Sequence, residues 1–318
     1  MGKQVSALKL VLAKQQAVFG TPEVAVLAAD LVEAEKPEIQ LDPEVVQMDV
    51  VGGGHRNPMH IVGPYQASVS LGIPLRNTGV ADTVGPWGIF LEASGWKKAL
   101  LAHVVTFTPS NKKSEHKDLT LWGYSGSQDA SDSLLTKIGN LMFSPKFSLD
   151  FDKGTASVKF DGKGLFAAAP ADATQPSVTP MTTLQAALRN ATLTIFGNTS
   201  LIPISIEFDS GESFNLLKSP ATASGLAMNV LADRKAKITV KFYKEPAATF
   251  DVYTAFLTQS TSAISVAWGA APQKFTFSFP TVQMNAPKVD EQNGVETYTV
   301  EGVIIDNSMS IATDVTVA

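Results

Sequence analysis

One pattern of alternation, used twice, limits what this chain can fold into. Over Phe143 to Phe166, Phe147, Leu149 and Phe151 alternate with Ser148 and Asp150, Asp152-Lys153-Gly154 interrupts, and Ala156, Val158 and Phe160 alternate with Ser157, Lys159 and Asp161. Successive strand residues point to opposite faces, so this is a β-hairpin with one apolar and one polar face. Near the C-terminus Phe275, Phe277 and Phe279 alternate with Thr276 and Ser278. A looser connection through Asn293-Gly294 then leads into Val295 to Ile305, with Tyr298, Val300 and Ile304 on one parity and Thr297, Thr299 and Glu301 on the other. Asp161-Gly162 closes the first return strand where Glu301-Gly302 closes the second.

The neighbours of the hairpin are duplicated too. Val69, Leu71 and Ile73 alternate ahead of Trp87, Phe90 and Leu91; Ile238, Val240 and Phe242 alternate ahead of Tyr253, Phe256 and Leu257. The i, i+3, i+4 spacing predicts a short amphipathic helix in each half. A repeat of this length sets the architecture. The expectation is a mainly β chain of two tandem β-sandwich or half-barrel domains, each with one short helix. Residues 1–40 read as an N-terminal arm that docks elsewhere, 41–166 as the first domain, the proline-bearing 167–182 as a linker, and 183–318 as the second domain.

Within that frame, strands are expected over Val45 to Val51, Tyr65 to Leu75, Leu100 to Phe107, Asp118 to Tyr124, Leu184 to Phe196, Phe208 to Leu217 and Lys235 to Tyr243. Two long loops, 52–64 and 218–234, fall at equivalent places, too long for tight hairpins and therefore candidates for contact between subunits. Their candidate contact residues are Gly53, His55, Arg56, Met59, His60, Ser219, Leu226 and Met228. The polar parity of the two return strands, Ser157, Lys159, Asp161, Thr297, Thr299 and Glu301, is a second candidate face.

Reactive chemistry finds little to work with. The chain has no cysteine, which removes disulfides and thiolate metal sites. Its net charge of −5 lacks the basic footprint of a protein that grips phosphates. His55 and His60 have no carboxylate near them in sequence, and Gly52-Gly53-Gly54 is followed by neither Lys-Ser/Thr nor a helix, so metal and phosphate-loop signatures fail. Asp150, Asp152 and Asp161 crowd one hairpin but sit beside Lys153 and Lys159, which suits a wet strand face better than a cation site. No serine elbow or HExxH is present. No export signal or membrane span is read at the N-terminus, so the sequons at Asn190 and Asn198 carry no weight. The expectation is a structural protein with no cofactor and no metal.

In several stretches the chain resembles the major tail tube proteins of long, non-contractile-tailed bacteriophages. The resemblance rests on Ala17-Val18-Phe19-Gly20-Thr21-Pro22, Val45 to Val51, Val62 to Leu71, Gly85 to Trp96 and Phe147 to Phe166. Where the family's arm reads Tyr-Gly-Thr-Asp, this chain has Phe19-Gly20-Thr21-Pro22. It implies subunits that close into rings and stack into a hollow tube through which DNA passes without specific binding. Two tube-like units per chain imply a trimeric ring with pseudo-sixfold symmetry, the polar parity lining a net-negative lumen and the long loops and arm reaching the next ring. It further implies assembly in the host cytoplasm, residence in the virion tail, and tape-measure, terminator and tip proteins as partners. A secretion-system tube is a close variant. The other class is a tandem β-sandwich that binds carbohydrate or another surface through Trp87, Trp96, Trp122 or Trp268.

Overall fold

The computed structural model describes residues 9–18, 21–23, 30–48, 59–126, 133–166, 170–222 and 225–317. The fold is mainly β, with 57% strand and 7% helix. The first half holds β1 (Lys9–Gln15), β2 (Leu31–Val32), β3 (Glu35–Met48), β4 (Met59–Pro74), α1 (Trp87–Glu92), β5 (Trp96–Leu101), β6 (Val104–Pro109), β7 (Leu119–Gly126), β8 (Ser133–Asp150) and β9 (Thr155–Phe166). Between the halves lies β10 (Ala171–Asp172). The second half holds β11 (Thr192–Thr194), β12 (Pro203–Asp209), β13 (Glu212–Lys218), β14 (Leu226–Arg234), β15 (Lys237–Tyr243), α2 (Val252–Leu257), β16 (Thr261–Trp268), β17 (Lys274–Met284), β18 (Lys288–Gln292), β19 (Val295–Ile304) and β20 (Ser310–Asp314).

The antiparallel pairings trace one sheet in the order β3, β4, β9, β8, β12, β15, β19, β18. A second runs β5, β6, β20, β17, β16, β11. β17 joins the two by pairing with β19 over Val282–Met284, while β8 carries β7 along its first part and β12 along its last, with a register shift against β9 between Gly139 and Met142. A strand that changes sheets through a bulge is how sandwich corners are made. The apolar parities meet between the sheets. Phe147 of β8 stacks on Phe208 of β12 at 5.6 Å and meets Phe277 of β17 edge-on at 5.2 Å, while Phe208 lies 4.9 Å from Phe279.

These contacts cross from one half to the other, and one hydrophobic core takes residues from both. The halves are also stitched by β8 to β12 and by β6 to β20. "Tandem" thus describes the repeat in sequence; in space the halves close a common core. The expected arm also changes meaning. β1 pairs along its whole length with β7 and buries Val11, Leu12 and Ala13, and β3 runs straight through residue 40. The apolar run of the N-terminus has a groove in its own chain to fill.

Several expected elements resolve differently. The stretch Leu100 to Phe107 is two strands, because Ala102 and His103 both adopt positive φ (47° and 63°) and form a two-residue hairpin turn. His103 therefore sits at a turn, with Nδ1 2.8 Å from Asp82 Oδ1. Phe208 to Leu217 breaks at Ser210-Gly211. Gly211 has φ of 64°, and a Cβ there would stand 2.1 Å from the Lys235 carbonyl oxygen, so β12 and β13 part at this point. Leu184 to Phe196 supplies only the three-residue β11, and the loose connection before Val295 contains β18. Of the two helices, α1 buries Trp87, Phe90 and Leu91, whereas α2 buries only Val252 and leaves Tyr253 and Leu257 outside.

Candidate functional site

The six residues of the expected polar face assemble on one side of the first sheet. Register partners share a face, and the rows run across strands from both halves. Lys159 lies opposite Lys146, then Asp209, Lys237 and Val303; Ser157 lies opposite Ser148, then Glu207, Thr239 and Glu301. A third row joins Thr155, Asp150, Ser205, Lys241, Thr299 and Lys288. Thr297 shares the parity but is fully buried, so it takes no part in the exposed surface.

Charge on this face leans acidic. Lys146, Lys159, Lys163, Lys237, Lys241 and Lys288 stand among Glu35, Glu38, Asp42, Asp150, Asp161, Glu207, Asp209, Asp290 and Glu301, so acids outnumber lysines. Lys159 contacts Asp161 at 3.0 Å, Lys146 reaches Asp209 at 3.6 Å and Asp161 at 4.0 Å, and Lys237 reaches Glu301 at 3.5 Å. Asp150 accepts from the Lys153 ammonium and backbone N–H, which hold its carboxyl below the usual range. Each exposed pair is worth little in stability, but together they leave no block of one sign. A cleft of about 450 Å³ opens at one end of the face, where Ser70, Ser144 and Asp161 look across at Glu212 and Phe214 of β13. Ser70 Oγ donates to Asp161 there at 2.7 Å.

The described parts of the two long loops are largely strand. Residues 59–64 belong to β4, and 226–234 are β14, paired with β13. The β3–β4 hairpin continues past its last contact with β9 at Gln66, pairing Val45 with Val62 and Met48 with Met59 and, among the described residues, with no third strand. Of its candidate contact residues, Gly53, His55 and Arg56 lie outside the described residues, while Met59 and His60 begin β4. In the second hairpin Ser219, at the turn, and Met228 are half-buried and Leu226 is buried.

The base of the second hairpin carries the residues that sequence reasoning missed. Glu212 and Arg234 face each other across β13 and β14, with side chains 0% and 2% exposed. Arg234 Nε donates to Glu212 Oε1 at 3.0 Å, and Trp96 Nε1 donates to the same oxygen at 2.9 Å. Ser210 Oγ donates to the other carboxylate oxygen. Arg234 Nη2 donates to the Gly95 and Ser94 carbonyls, 3.0 and 3.2 Å away, capping the exit of α1. Burial pushes the Glu212 carboxyl up, against the pull of Arg234, Ser210 and Trp96. Asn229 Nδ2 adds a bond to the Lys163 carbonyl at 2.8 Å. The second half's hairpin is thereby clamped onto the first half. An acid and an arginine 22 positions apart, each in an ordinary alternating strand, leave no local signal.

All four tryptophans are buried. Trp87 packs on Phe107 and Phe275, Trp268 stacks on Phe275 and Phe277, and Trp122 anchors a small satellite cluster with Leu12 and Tyr124. None offers a face to a sugar. Among the described residues no group of three or more His, Asp or Glu is placed to hold a metal, and no helix is long and apolar enough to cross a membrane. No protein-family model and no curated protein sequence matches the chain.

Proposed function

We propose that this chain is the structural subunit of a hollow tube, closing into rings that stack into a tail-tube-like filament. The observation that carries the reading is that the junction between its halves leaves a matching junction open at each end. Gly162 of β9 lies opposite Val69 of β4, and Gly302 of β19 lies opposite Ile238 of β15. Lys146 of β8 lies opposite Lys159, and Lys288 of β18 lies opposite Thr299. In the repeat, then, β18 stands where the second part of β8 stands, and β12 stands where β3 stands. Inside the chain the β8 edge takes β12, from Lys146–Asp209 to Asp150–Ser205. The equivalent edges, β18 at one end and β3 at the other, pair with nothing beyond their own hairpins among the described residues.

Open edges invite another strand. β3 of a second copy fits β18 in the register of the internal junction, bringing Ile39 opposite Val289. Such a head-to-tail contact repeats until it closes. With two units per chain, three chains give a ring of six pseudo-equivalent units, with the polar face turned to the lumen. A face on which acids outnumber lysines, several of them tied in short ion pairs, has no excess of cations to hold DNA. The role is mechanical, with no catalytic group required. Tape-measure, terminator and tip proteins as partners, assembly in a host cytoplasm and residence in a virion tail belong to the same reading. A tube of a secretion system is the nearest variant; the buried tryptophans weigh against the carbohydrate-binding alternative.

Negative-stain electron microscopy across a concentration series tests it. End-on class averages should show hollow rings with three chains each. A compact monomer at every concentration refutes the tube.

A further inference from the structure

We infer that the exposed face of α2 is the seat for the β3–β4 hairpin of a second copy of this chain. The inference deepens the tube reading and rests on it.

In the first half the turn leaving α1, Ala93 to Trp96, is buried, and the β13–β14 hairpin covers it. Arg234 holds the Ser94 and Gly95 carbonyls, Glu212 holds Trp96, and a Cβ on Gly95 would stand 3.2 Å from the Leu231 side chain. In the second half the helix of the same length packs Val252, Ala255 and Phe256 on the core but leaves its outer face and exit open. Tyr253 is 48% and Leu257 74% exposed, and Thr258 to Thr261 are all exposed. One half-chain has a helix exit covered by a hairpin, and the other has a helix exit with no cover.

The spare hairpin is β3–β4. Tyr65 stands in the repeat where Arg234 stands, since Val69 corresponds to Ile238 and both lie four residues upstream; Pro43 opposes Tyr65 as Glu212 opposes Arg234. Beyond that point β3–β4 carries Val45, Val46, Ile61 and Val62 where β13–β14 carries Phe214, Asn215, Val230 and Leu231, an apolar sequence that suits the exposed Tyr253 and Leu257. The placement is also geometrically consistent. β13 follows β12 directly, and β12 lies on the β8 edge, so the hairpin falls on the helix of the half that owns β8. If β3 of a second copy lies on the β18 edge, its hairpin falls on α2 by the same operation. Its own chain cannot supply this cover, because β3–β4 lies at the opposite end of the sheet from β18.

The absence of cysteine makes the contact readable. The corresponding pair is Val62 on the hairpin and Ser260 after α2, so the double variant Val62→Cys/Ser260→Cys is treated with a short bismaleimide. Covalent dimers and trimers in denaturing gels, absent from either single variant and lost on dilution below the assembly concentration, are the expected result. A second variant, Leu257→Asp, changes an exposed side chain, so its thermal unfolding as a monomer should match wild type. The concentration at which rings appear should rise by about tenfold or more, the factor that about 1.4 kcal/mol of lost contact produces. Rings that form without the cross-link, and equally well in Leu257→Asp, overturn the docking and leave the tube standing. Wild-type protein that never forms rings overturns both.

Discussion

Replacing Arg234 by alanine isolates the clamp between hairpin and helix. The side chain is almost wholly buried and makes three bonds, to the Glu212 carboxylate and to the Ser94 and Gly95 carbonyls. Removing one member of a buried pair costs about 3–5 kcal/mol, mostly because the other charge is stranded. Glu212 keeps its bonds from Trp96 and Ser210, which places the loss towards the lower end, about 3 kcal/mol. Burial already raises the Glu212 pKa, and without Arg234 the chief opposing influence is gone. A carboxyl whose folded pKa lies above its unfolded value, about 4.3, binds a proton on folding. Its stabilising contribution is present at low pH and lost as pH rises through the folded pKa. The deficit of Arg234→Ala should therefore shrink between pH 7 and pH 5. Urea unfolding followed by tryptophan fluorescence at the two pH values measures it. A deficit under about 1 kcal/mol at pH 7, against the range expected for a broken buried pair, or one that ignores pH, refutes the reasoning. The double variant Glu212→Leu/Arg234→Met should recover most of the loss, since apolar groups of similar volume replace buried pairs at little cost.

The paired glycines provide a direct check on the repeat. A Cβ at Gly162 would meet the Phe143 ring at 2.4 Å and one at Gly302 would meet Val282 Cγ1 at 2.5 Å. Alanine at either position should cost about 1–3 kcal/mol by overpacking, and thermal melts in which both variants match wild type would remove the structural equivalence. Asp251 caps α2 by accepting from the Thr254 N–H at 3.0 Å, and that bond lowers its pKa. Its stabilising share is present above the unfolded aspartate value and lost as pH falls through the folded one. Asp251→Asn should keep the cap and flatten part of the acid limb of a melting-temperature curve; an unchanged limb counts against it. Replacing Lys146, Lys159 and Lys237 together by alanine breaks exposed pairs worth about 0–1 kcal/mol each. The fold should survive, with a melting temperature close to that of wild type; a collapse of the melting transition would mean that the face is not a solvated one.

The β8–β9 hairpin, the polar parity of Ser157, Lys159 and Asp161, and the pairing of Gly162 with Gly302 were all legible in the chain, because side-chain alternation follows from local backbone geometry alone. The turn at Ala102-His103 was not, since neither residue announces a positive φ as Asn-Gly does at the turn into β19. Other features depended on partners far away in sequence. The pairing of β8 with β12, the insertion of β1 beside β7, and the meeting of Glu212, Arg234 and Trp96 are choices among edges and pockets that exist only once the sheets have closed. The same holds for the helices. Both carry an apolar stripe, yet α1 packs Trp87 and Phe90 against Phe107, Phe275, Phe143 and Phe160 while α2 leaves Tyr253 and Leu257 at the surface. Sequence determined which residues share a face, because periodicity is local; tertiary structure decided what each face meets, because burial is a property of the whole chain.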